Sequence, residues 1–212
     1  MENRTKRENE KFNKENKIIN TAETLFCNNG FDATSMNELA HQCGYTKRTI
    51  YKYFTSKEDI FFAVLYKNYS KLLDAINRKI DNNLNGFEKI KSLYLGFSEY
   101  SSANPNLTSI MVMGKSAKTS DDSIPMPYRS KFYDCNKELF SQIHKLFEEG
   151  QKDGSIKKQF DISTLAFSSV FTMTGFFYML SSSIDTFTTH FNLNKDDFVN
   201  FSINLLTDSF KN

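Results

Sequence analysis

A chain of 212 residues, 39% hydrophobic and 25% charged, has an ordinary globular composition, which excludes a disordered chain. Three prolines and eight glycines supply too few turns for a sandwich or a barrel, so helices are expected. The net charge of +2 neither demands nor excludes a nucleic-acid partner, because a local patch decides that question.

Twenty-one Phe and ten Tyr with no Trp leave a large apolar area to bury in a core, a dimer interface or a ligand cavity. Cys27, Cys43 and Cys135 are odd in number and lack C-x-x-C spacing. Neither a disulfide scaffold nor a zinc site is expected, and no metal or cofactor is called for. The Lys- and Glu-rich N-terminus has no apolar core of a signal peptide. No run approaches the ~18–20 apolar residues that span a bilayer, so no membrane partner is expected and the cytoplasm is the default location.

Taken in order, residues 1–13 are polar and mixed in charge and read as a flexible arm. From Lys14 to Asn28, Ile18, Ile19, Ala22, Leu25 and Phe26 recur at helical spacing, and Asn29-Gly30 stops the run. Thr34-Ser35 caps a short helix whose inner face is Met36, Leu39, Ala40 and Cys43, broken at Gly44. Thr46 caps a second short helix over 47–53. Ser56, with Glu58 and Asp59, opens a long one with a stripe from Phe62 to Ile80, expected to run to about 82 before Asn85-Gly86. Five further helices are expected at 87–101, 105–117, 125–149, 162–183 and 195–210, with Asp153-Gly154-Ser155 as a turn and 115–124 as a polar loop. The fold class is all-α, about nine helices.

Residues 35–54, SMNELAHQCGYTKRTIYKYF, carry the chemistry. Gly44 supplies the positive φ of a tight inter-helix turn, and Ala40 the small side chain that lets two helices approach. Leu39, Cys43 and Ile50 fill their shared core. Thr46, Lys47, Arg48, Thr49, Tyr51, Lys52 and Tyr53 remain to face outward, as phosphate and base-edge donors interleaved with aromatics. Residues 41–57 contain Lys47, Arg48, Lys52 and Lys57 and no acid. A helix this short cannot repay its own ordering by burial, so its exposed face serves something outside the protein.

From Ile18 to Val64 the chain resembles the DNA-binding domain of tetracycline-repressor (TetR) family regulators. The resemblance rests on Ala22, Leu25-Phe26, Gly30-Phe31, Thr34-Ser35-Met36, Leu39-Ala40, Gly44, Thr46-Lys47, Thr49-Ile50-Tyr51, Tyr53-Phe54 and Ser56-Lys57-Glu58-Asp59. Arg48 stands where the family commonly has Gly, and Tyr45 where a small aliphatic is usual. Both bear on which operator is read. The resemblance implies a three-helix helix-turn-helix domain over 14–60, then a six-helix effector-binding and dimerisation domain over 61–212.

On that reading Lys47, Lys52 and Lys57 neutralise phosphates, while Thr34, Thr46, Tyr51 and Tyr53 bond the DNA backbone and the helix N-termini at Ser35 and Thr46 add partial positive charge. Thr49 contacts bases. Arg48 does so too, or binds another phosphate, and Tyr45 touches a thymine methyl or covers the turn. The arm, with Arg4, Lys6, Arg7, Lys11, Lys14 and Lys17 against four glutamates, enters a minor groove or is simply solvated.

Leu165, Ser169, Met173, Phe177, Phe198, Phe201 and Leu205 are the expected dimer face, which the resemblance places in a four-helix bundle with the symmetry mate. Phe97, Tyr100, Met111, Met113, Phe132, Tyr133, Phe171 and Phe176 line a cavity for a flat or greasy effector, or are plain core. His41, His144 and His190 are scattered, and no nucleophile elbow, P-loop or dinucleotide turn is present, so no enzyme is expected. The expected function is a homodimeric repressor on a palindromic DNA operator, nucleoid-associated when bound and released by an unknown small-molecule effector. A DNA-binding adaptor that docks a protein partner is the alternative.

Overall fold

A computed structural model describes residues 5–113 and 125–212; among them helices are joined by turns and loops, and the one β feature is an isolated bridge, Ile156 to Lys211. The nine helices among the described residues are α1 (Lys6–Asn29), α2 (Met36–Cys43), α3 (Lys47–Ile50), α4 (Lys57–Asn77), α5 (Gly86–Ala103), α6 (Pro105–Met113), α7 (Pro127–Asp153), α8 (Ile162–Phe191) and α9 (Lys195–Asp208). The loop expected over 115–124, and Arg4 of the arm, lie outside the described residues.

The N-terminal arm is a correction. Helix α1 begins at Lys6, because Thr5 and Glu8 form a capping box in which each side chain accepts the other's backbone N–H. Thr5-x-x-Glu8 was readable as a start signal, but the polar stretch after it offered no apolar period. Helix α4 stops at Asn77, short of the expected 82, and α8 runs eight residues past the expected 183. Asn85-Gly86 is a start as well as a stop: Asn85 caps α5, and Gly86 is its first residue.

The chain packs as two compact units, Met1–Tyr69 with Ser109–Asp134, and Ser70–Thr108 with Cys135–Asn212. The expected boundary at residue 60 therefore moves. Phe61, Phe62, Val64 and Leu65 of α4 are buried in the same core as α1 to α3, together with Ile110, Met126 and Phe132. At its centre Phe26, Phe31 and Phe61 meet ring to ring at 5.2 to 5.6 Å. A Lys67–Glu23 ion pair at 2.6 Å, with Asn68 donating to Glu23, adds a polar tie between α1 and α4.

In the second unit Gly86 and Gly150 let α5 and α7 touch backbone to backbone. A Cβ at Gly86 would stand 2.2 Å from the Gly150 nitrogen. Phe87, Phe147 and Phe210 pack edge to face beside them. Residues Ile162–Ser181 of α8 are long and apolar enough, by length and composition, to cross a bilayer, yet only 22% of that stretch is buried. The sequence reading missed this because hydroxyl residues such as Ser168, Ser169 and Thr172 interrupt the run. Length and composition of this kind also describe a core or interface helix of a protein that never meets lipid.

Gly86→Ala is expected to destabilise the chain by about 1–3 kcal/mol in chemical denaturation, because the obstacle is backbone and cannot rotate away. An unchanged midpoint would show that α5 and α7 do not approach this closely.

Candidate nucleic-acid interface

The interface is assembled from its turns. Ser35 caps α2, its hydroxyl accepting from the Glu38 N–H at 3.1 Å. Gly44 ends α2 in the left-handed conformation, φ 68° and ψ 31°, and donates its N–H to the Ala40 and His41 carbonyls. Thr46 then caps α3, accepting from the Thr49 N–H at 3.1 Å, with the two threonine hydroxyls 2.9 Å apart. Leu39, Ala40, Cys43 and Ile50 are all buried between the two helices. Gly44 has no Cβ to strain at a φ that other residues rarely adopt, and this turn aims α3.

Around that frame Lys47, Arg48 and Lys52 are exposed, Tyr51 is 50% exposed, and Thr46 and Ser35 also face solvent. Thr49 and Tyr53 are half-buried. Tyr45 is half-buried against the core, with the Lys17 ammonium 5.1 Å from its ring centroid.

Two expected DNA contacts are corrected. Thr34 is buried, and its hydroxyl donates to the Gly30 carbonyl at 2.8 Å and the Leu25 carbonyl at 3.3 Å. The Lys57 ammonium turns inward, donating to the Phe31 and Thr34 carbonyls at 2.9 and 3.1 Å, 4.3 Å from the centre of the Phe31 ring. Both residues hold the loop between α1 and α2. The loop's carbonyls need donors, and nothing in a sequence says which lysine supplies them.

Beside this tip the opening of α7 is bonded to the same unit. The Asp59 carboxylate, buried at the start of α4, accepts the Thr55 N–H at 3.3 Å and the Tyr128 N–H at 3.0 Å. Burial raises its pKa against those hydrogen bonds. The Tyr128 hydroxyl donates to Glu15 of α1 at 2.8 Å, and burial first, then that carboxylate, hold its pKa above the usual phenol value. Burial also pushes the Cys27 thiol up to about 11 and raises Cys43, so neither is a ready thiolate. Among the described residues no three His, Cys, Asp or Glu converge as metal ligands.

The expected effector and dimer residues do not fall as grouped. Met113 and Phe132 pack in the core of the first unit, where Phe132 meets Tyr69 at 5.0 Å, and Tyr133 is largely exposed; Met111, half-buried, belongs to the same unit. In the second unit Phe97 and Phe176 flank Phe177, Tyr100 is half-buried, and Phe171 is 73% exposed. The eight are thus divided, four in each unit. The second unit instead has an open cleft of about 230 Å³ lined by Ser101, Phe177, Leu180, Ile184 and Lys195 among others.

Of the dimer residues, Ser169, Met173 and Phe177 are buried within the chain, and Leu165 and Phe198 are half-buried. Phe201 and Leu205 are each 66% exposed. The outward apolar stripe of α8 is a different one, Phe167, Phe171, Tyr178 and Met179. Helical spacing identifies two apolar faces on α8 but not which of them the chain covers itself.

Lys57→Ala should cost about 1–3 kcal/mol of stability, because it strips the donor from two loop carbonyls. Lys47→Ala, at an exposed position, should stay within about 0.5 kcal/mol of the parent. Denaturation midpoints of the two variants check this, and equal midpoints would return Lys57 to the surface.

Residues 18–64 match the family described as bacterial regulatory proteins, tetR family. The uncharacterized HTH-type transcriptional regulator YuxN of Bacillus subtilis is 40% identical over 63 residues, which are 30% of this chain and 22% of that protein. The chain thus spans well under two thirds of that relative. The fatty acid metabolism regulator protein of B. subtilis is 23% identical over 145 residues, 68% of this chain and 72% of its own. The crystal structure of the transcriptional regulator FadR from B. subtilis, in complex with stearoyl-CoA, superposes with a TM-score of 0.69 at 19% identity, covering 90% of this chain and 96% of that one. Residues 18–64, with the helix-turn-helix inside them, thus match the tetR family of bacterial regulatory proteins, and nearly the whole chain shares the fold of a transcriptional regulator.

Proposed function

We propose that this chain acts as a homodimer that represses transcription from a palindromic operator in the cytoplasm and lets go when a small apolar molecule occupies its second unit. The observation that carries the reading is α3 itself. Of its four residues Ile50 is the buried one, and Lys47, Arg48 and the following Lys52 project beyond it. Lys47 and Lys52 neutralise phosphates, Ser35, Thr46 and Tyr51 bond the backbone, and Arg48 reads a base edge with Thr49 beside it.

One such tip contacts too few bases for useful specificity, whereas two on a two-fold axis read half-sites about 34 Å apart. The outward stripe of Phe167, Phe171 and Tyr178 on α8, with Phe201 and Leu205 on α9, supports a second copy as the partner. Exposed aromatic side chains at this density are rare unless something covers them. The greasy effector is supported by the relatives' names, a fatty acid metabolism regulator and a FadR that holds stearoyl-CoA. The first turns of α4 pack in the same core as α1 to α3, so a shift of α4 reaches the reading tip. A coupling of about 1–3 kcal/mol between effector and operator is enough for regulation.

In vitro selection from random duplexes followed by salt titration tests the DNA half. Lys47→Ala is expected to weaken all duplexes alike and to flatten the salt dependence, while Arg48→Ala changes the selected sequence. The reverse pattern would exchange their roles, and no binding by the parent chain at low salt would end the regulator reading. Phe171→Glu is expected to yield monomers in sedimentation and to weaken operator binding at least about tenfold, as two like charges cannot be buried together. A dimer that survives Phe171→Glu would move the interface off α8.

A further inference from the structure

We infer that the first three turns of α1 form a second phosphate-binding track, a rigid basic ridge that runs beside the reading tip and grips the operator's backbone. The inference rests on the DNA-binding reading and extends its contact surface. Arg7, Lys11 and Lys14 stand at steps of four and three residues, so they share one face of α1. All three are exposed and have no ion-pair partner among the described residues.

That face opens on the reading segment. Arg7, Lys11 and Lys14 line one open cleft of about 420 Å³ with Lys52 and Tyr53. Glu8 and Glu10 line it too, which leaves four cations against two carboxylates. Glu8 is also committed elsewhere, its carboxylate accepting from the backbone and the hydroxyl of Thr5 at 2.7 and 2.8 Å. A nucleic-acid strand lying over Lys52 therefore meets a wall that is positive on its far side.

Rigidity separates this from a disordered basic tail. The Thr5 capping box keeps the ridge helical as far as Lys6. The cations are then fixed over about 10 Å, the rise of roughly three consecutive phosphates on one strand. A preformed track spends no ordering entropy on contact. Carboxylates interleaved with the cations favour a partner with regularly spaced anions over a diffuse one, and backbone phosphates carry no base identity. The ridge adds affinity without reading sequence.

The test uses the full chain with Arg7, Lys11 and Lys14 all replaced by alanine, on a duplex recovered by selection with the parent chain and on a scrambled version. The slope of log affinity against log salt is expected to fall by about 2–3 per protomer on both duplexes, at about 0.9 per phosphate lost. The selected sequence should stay the same. Alanine suits an exposed helix, and far-UV circular dichroism reports whether α1 persists. If it does not, Lys11→Gln with Lys14→Gln is measured instead, and the slope should fall by about 2. Keeping the charge, as Arg7→Lys does in the otherwise native chain, should leave the slope at the parent value. An unchanged slope in the alanine variant, while the parent binds DNA, overturns the ridge and leaves the reading tip standing. A changed sequence preference also overturns it, by making these side chains base readers. A parent chain that binds neither duplex removes both readings together.

Discussion

A helix of four residues cannot hold itself together in water, because a single turn fixes more torsions than its hydrogen bonds repay. The reading tip therefore exists only as far as its surroundings impose it. Ile50 anchors it from below, Thr46 accepts the Thr49 N–H, and Gly44 sets the direction in which it leaves α2. Behind these stands the ring cluster of Phe26, Phe31 and Phe61, which fixes the helices that α2 and α3 lean on. Every outward side chain of the tip inherits its position from that inner packing.

The same logic extends to the openings of α4 and α7 within the first unit. Helix α4 starts on the buried Asp59 and Ser56 turn, and α7 begins with Tyr128 bonded to both Asp59 and Glu15. Asp59 is a carboxylate kept buried at a cost, since burial raises its pKa while its hydrogen bonds pull it down. Such a group is retained where its two acceptor oxygens have work, and here they join the starts of two helices within the first unit.

Much of the first unit was legible in the sequence because its signals are local. The caps at Ser35 and Thr46, the break at Gly44 and the inward set of Leu39, Ala40, Cys43 and Ile50 each depend on neighbours within a few positions. What misled was long-range. Lys57 looks like any phosphate-binding lysine until its ammonium is seen among carbonyls more than twenty positions away. The meeting of Gly86 with Gly150 leaves no trace in either local pattern. In α8 the period reveals apolar residues all round, and Met173 and Phe171 trade places between inside and outside with nothing in their spacing to tell them apart.

The inward turn of Lys57 has an evolutionary side. Because the loop before α2 is locked by a lysine that owes nothing to DNA, the solvent-facing cations at 47, 48 and 52 are released from any duty to the fold. On the proposed reading, drift at Arg48 can retune which operator is favoured, and drift at 47 and 52 how tightly any duplex is held, while the scaffold keeps its shape, so a duplicated gene could acquire a new target without first passing through an unstable ancestor.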